Sequence, residues 1–229
     1  MDNIRRALDS VVPKLSDENY DQSFAFYRFW LDIGQNYHQI PPDLVFDVIL
    51  NNRATDSMNV GRGELTQTNA HLVVRFAGDA ESDHILAPHN AGLQSHLCTR
   101  ILQDFFSDNL GFVWGVETGS WNSTGYFYAN TDLIARWANL GYVEEVTIRN
   151  HILQSLISYP KLYDHQANAL IVLFKLAGAT LEAYADPSVV DRCFELLKGH
   201  CSRDSVKWKL VQVREFPAVK GGHRTQTDF

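Results

Sequence analysis

The sequence predicts an all-α protein, and three observations carry that prediction. Apolar residues recur every three or four positions in one segment after another, the period of a helix face. Prolines, acids and small polar residues stand where those segments begin, and glycines where several of them end. The segment starts at Pro42, Pro88, Val143 and Pro187 also come at comparable intervals, 46, 55 and 44 residues apart.

The first helix is expected over Asp17 to Gln35, where Tyr20, Phe24, Tyr27, Trp30 and Leu31 fall on one stripe. Ser16, Asp17 and Glu18 supply a cap and negative charge for the positive end of the helix dipole. A second helix starts at Pro42, whose missing N–H costs nothing in a first turn. Leu44, Val45, Val48 and Ile49 form its stripe, and Asn51-Asn52 ends it. The polar run to about Glu64 reads as a loop. Asn69 to Ala77 is a shorter helix, and Asn90 to Ser107 a stronger one with Leu93, Leu97, Ile101, Leu102 and Phe105 aligned.

The 111–130 stretch, GFVWGVETGSWNSTGYFYAN, has no helical period. Its glycines and aromatics suit an irregular packed loop, or a hairpin with FVWGV and GYFYA as strands. Helices then resume. Asn130 or Thr131 caps Leu133, Ile134, Trp137 and Leu140, and Gly141 is a natural stop. Glu144 to Tyr159 is the next helix, closed by Pro160. His165 to Leu176 is apolar nearly all round, as a central helix would be, with a kink expected at Gly178. Asp186 and Pro187 open the last strong helix, whose stripe is Val189, Val190, Cys193, Phe194, Leu196 and Leu197.

The intervals between helix starts resemble the roughly 40–47-residue repeat of armadillo and HEAT arrays. That resemblance implies an irregular α-solenoid over most of residues 17–200, with the aromatic insert lengthening the middle interval. A compact helical bundle is the alternative. Either way the expected organisation is one α-helical domain over 1–202, with the insert at 111–130, followed by a basic, partly flexible segment over 203–229. That segment carries Arg203, Lys207, Lys209, Arg214, Lys220 and Arg224 against Asp204, Glu215 and Asp228, a balance of +3.

Composition narrows the function. With 45% hydrophobic residues, thirteen Phe, nine Tyr and five Trp, the 229-residue chain can bury a substantial core. The net charge of −7 argues against a nucleic-acid partner, because phosphate backbones repel it. No apolar run approaches the roughly 18 residues of a membrane span. Three cysteines without a CxxC fit a reducing compartment, so the expected location is cytoplasmic, with the nucleus also open.

No catalytic constellation emerges. Gly119-Ser120-Trp121 lacks the second glycine of a nucleophile elbow. His89 and His96 lie seven apart, where zinc pairs usually lie three to five apart. Cys193, His200 and Cys201 are close in sequence, but Cys193 falls on an apolar stripe, the place of a buried thiol. Asp17/Glu18 and Glu144/Glu145 suit helix starts, and Asp79, Glu81 and Asp83 read as a solvated loop. No metal, cofactor or catalytic residue is therefore expected. The expected function is a non-enzymatic scaffold or adaptor whose partner is another protein. Its candidate contacts are Trp114, Trp121, Tyr126, Phe127 and Tyr128, since Trp and Tyr make good interface anchors. The same aromatics could instead fold back and cap the core.

Two other functions stay open. Ile40 to Leu50, IPPDLVFDVIL, resembles the opening of an F-box, which implies a ubiquitin-ligase adaptor. The polar run after Leu50, however, lacks the leucine-rich second helix and the Trp of that module. The other is an enzyme whose site converges only in three dimensions.

Overall fold

The computed structural model describes residues 15–37, 50, 68–82, 93–113, 122–158 and 160–200. The regular structure there is helical, with no β-strand among the described residues, so the chain is all-α as expected. The packing divides into two compact units, Met1–Val143 and Glu144–Phe229. The sequence reading of one domain over 1–202 does not anticipate that division.

Unit 1 contains α1 (Tyr20–Tyr37), α2 (Ala70–Ser82), α3 (Leu93–Val113) and α4 (Asn122–Asn139). Asn19, directly before α1, accepts a hydrogen bond from the Ser16 N–H at 2.8 Å and from the Ser23 hydroxyl at 3.1 Å. It thus ties the approach to the first turn. Tyr20 and Tyr27 are buried on the predicted stripe, and α1 packs on α2 through them. The Tyr27 and Phe24 rings meet Phe76 edge-on at 5.3 and 5.2 Å. The Tyr20 hydroxyl donates to Asp79 at 2.6 Å, and the Arg75 guanidinium lies 3.7 Å above the Tyr20 ring. Asp79 therefore sits on a helix and anchors a contact, where the sequence suggested a solvated loop.

The α3 stripe of Leu97, Ile101 and Phe105 is fully buried. It meets α4, where Phe105 stacks on Phe127 with centroids 5.1 Å apart and planes 9° apart. Each such side chain contributes about 1.5–3 kcal/mol through burial. The second half of the aromatic insert is therefore helix, neither loop nor hairpin. Asn130 and Thr131, expected as caps, lie in the middle of α4. The helix starts earlier, and Phe127, stacked on Phe105 of α3, joins Ile134 and Trp137 as buried residues at helical spacing.

Gly141 ends α4 as expected, with φ +81°. The Tyr142 N–H reaches the Trp137 carbonyl at 2.9 Å and the Gly141 N–H reaches that of Ala138 at 3.1 Å. This paired closure is the Schellman arrangement, which needs a left-handed residue where glycine stands.

Unit 2 opens with α5 (Glu145–Thr147), a π-helical segment (Ile148–Ile152) and α6 (Leu153–Ile157) in one continuous rod. The expected stripe is present in Ile148, Ile152, Leu153 and Leu156, all buried, but Val146 is exposed. Next come α7 (Asp164–Tyr184) and α8 (Pro187–His200). The backbone of α7 breaks at Ala177, with φ −130° and ψ 21°, one residue before the expected Gly178. By length and composition α7 also meets the test for a membrane-crossing helix. Its Ala167, Leu170, Leu173, Phe174 and Leu181 are buried in unit 2, with Phe174 4.7 Å from Phe194 of α8. Asp186 caps α8 as predicted, accepting from the Ser188 N–H at 2.8 Å and the Ser188 hydroxyl at 2.7 Å.

The helix expected from Pro42 and the 203–229 segment lie outside the described residues. Leu50, at the expected end of that helix, is helical and buried.

Candidate functional site

Of the five aromatic residues singled out in sequence, Trp114 and Trp121 lie outside the described residues. Tyr126 is a residue of α4. Phe127 and Tyr128 are buried at 0% and 7% exposure, so they build the unit 1 core instead of offering a surface.

Among the described residues, a clustered aromatic surface lies on α1. Phe29 is 56% exposed and Phe26 and Trp30 are half-buried beside it. The Trp30 ring centroid is 6.1 Å from that of Phe26 and 6.0 Å from that of Phe29. The spacing 26, 29, 30 makes this a single ridge, adjacent to the buried Tyr20–Tyr27 stripe. Sequence reasoning assigned Trp30 to the core and passed over Phe26 and Phe29. Their signal was an aromatic surplus in FAFYRFW, more rings than one stripe can bury.

Unit 1 also holds a buried polar centre on α4. Asp132, 9% exposed, accepts from the Thr68 hydroxyl and, at 2.6 Å, from Arg136 Nε. Thr131 returns its hydroxyl to the Phe127 carbonyl at 2.8 Å. Asn130 is fully buried, and neither of its amide atoms meets a hydrogen-bond partner among the described residues.

In unit 2 a pocket of ≈ 630 Å³ opens where α7 begins and α8 ends. Pro160, Lys161, Leu162, Tyr163, Asp164, His165 and His200 line it. Its position follows from local structure. The Tyr163 N–H is held by Gln166 Oε1 at 3.2 Å, which fixes the approach of the 160–163 loop to α7. His200 Nε2 lies 3.0 Å from Asp164 Oδ1, which ties the end of α8 to the start of α7. The His165 ring stacks beside Tyr163, with centroids 5.9 Å apart. Burial lowers the His165 pKa to about 4, against a smaller opposing pull from Asp164, so its imidazole is neutral at physiological pH. The sequence marked His200 only as a neighbour of two cysteines and did not pair it with residues 36 positions away.

The thiols of Cys98 and Cys193 are buried, and burial pushes each up to about 12. Such thiols stay protonated and are poor nucleophiles and ligands. Among the described residues no three His, Cys, Asp or Glu side chains converge in a metal-binding group. No family model, curated protein or solved structure matches the chain.

Proposed function

We propose that the chain is a non-enzymatic, helical protein-interaction module, and that the Phe26–Phe29–Trp30 ridge of α1 is its contact surface. The observation that carries the proposal is the exposure of Phe29 beside two half-buried rings on an ordered helix. Rigid aromatic side chains lose little conformational entropy on docking and dominate binding energy where they enter a partner's pocket. The finer fold is part of the same proposal: helix pairs stacked in an irregular armadillo/HEAT-like array, with a compact bundle as the alternative. The all-α build of both units supports an array without distinguishing it from a bundle.

A photo-crosslinking amino acid placed at position 29 tests the contact in cells. The expected result is one dominant crosslinked protein, whose recovery with the unmodified chain falls at least tenfold on Phe29→Asp. Tyr184→Asp, at an exposed ring of unit 2, leaves it unchanged. Equal recovery with Phe29→Asp would show that the ridge does not bind.

A further inference from the structure

The pocket at the junction of α7 and α8 has a composition that selects a ligand class. At ≈ 630 Å³ it falls within the roughly 300–1,000 Å³ range of small-molecule sites. One part of its wall is apolar, from Leu162, which is buried, and the Tyr163 ring. The polar part is rich in nitrogen: Lys161, His165 and His200. Asp164 is the one acid among the described lining residues, and it is already engaged by His200 at 3.0 Å. It also stands at the rim, with its side chain 91% exposed, whereas His200 is 14% exposed. The carboxylate thus faces solvent and His200, Lys161 offsets its charge, and the described wall offers a ligand nitrogen atoms within a chain of net charge −7.

We infer that this pocket binds a small organic molecule carrying one oxyanion, a carboxylate or phosphate monoester, on an apolar body. The oxyanion faces Lys161, and the body lies against Leu162 and Tyr163 beside the two imidazoles. The volume exceeds what a bare inorganic oxyanion fills, so the apolar wall contributes to binding. His165, neutral at physiological pH, adds a hydrogen-bonding group without adding charge.

The test uses the full chain at neutral pH and follows the histidine imidazole resonances by NMR. Benzoate, phenyl phosphate and benzylamine are titrated separately. The expected result is a saturable shift confined to His165 and His200 with at least one of the two anions, the tighter of which identifies the oxyanion, and no saturable shift with benzylamine. Lys161 is exposed, so Lys161→Glu leaves the fold intact by circular dichroism and weakens anion binding about tenfold or more. The inference is overturned by the absence of saturable shifts with both anions, by an equal response to benzylamine, or by unchanged affinity in Lys161→Glu.

Discussion

Asn130 places a primary amide in the middle of α4 at 0% exposure, with no partner for Nδ2 or Oδ1 among the described residues. A buried amide without partners loses its hydration and gains nothing in return, at a cost of about 1–3 kcal/mol. Leucine has the same branched outline and carries no polar atoms, although its methyl groups take somewhat more room. Asn130→Leu is therefore expected to stabilise unit 1 by about 1 kcal/mol or more, read as a raised urea midpoint at unchanged slope. A lower midpoint would mean that the amide is satisfied in solution. His165 gives the second prediction at this scale. Its folded pKa of about 4 lies below its ordinary value of 6.5. Between those values the unfolded chain binds a proton that the folded chain refuses. Stability is therefore highest above pH 6.5 and falls as the pH drops toward 4, with no further loss from this group below that. The size is up to about 3 kcal/mol. His165→Gln should remove that part of the decline, as measured by urea unfolding across the window.

Elements differ in how far local sequence controls them. The starts of α1 and α8 are set by neighbours: Asn19 at one and Asp186-Pro187 at the other. The end of α4 is equally local, because φ +81° at position 141 strains any residue with a Cβ. Gly141→Ala should cost about 1 kcal/mol although, its chain neighbours aside, nothing lies within 4 Å of the added methyl group. Its urea midpoint should fall while the far-UV spectrum keeps its shape. The start of α4 is a different case. Nothing in Asn122-Ser123-Thr124-Gly125 outweighs the glycines and aromatics that suggested a loop. Phe127 stacking on Phe105 supplies the burial that holds those residues in a helix. The rod of α5 and α6 likewise contains a π-helical stretch that the apolar spacing did not signal.

At the scale of the whole molecule, two cores imply two sets of protected amides. One surrounds Phe105, Phe127 and Trp137, and the other Ile152, Leu173 and Leu197. Gly141→Ala should lower hydrogen-exchange protection in the first set and leave the second near its original value. A uniform loss across both would mean that the two units unfold as one.

By itself the sequence determined that the chain is all-α, where most of the described helices run, the Gly141 stop and the Asp186 cap. Those features depend on residues within one or two turns of each other, so local patterning records them. Tertiary structure decided the rest. It buried Phe127 and Tyr128 of the aromatic insert, joined Asp79 to Tyr20 and Asp132 to Thr68, and divided the chain after Val143. It also brought His200 to Asp164 and left Phe29 exposed beside Trp30. A helical period says that a face is apolar. Which face is covered, and which polar groups converge, depends on contacts tens of residues apart, which no local pattern encodes.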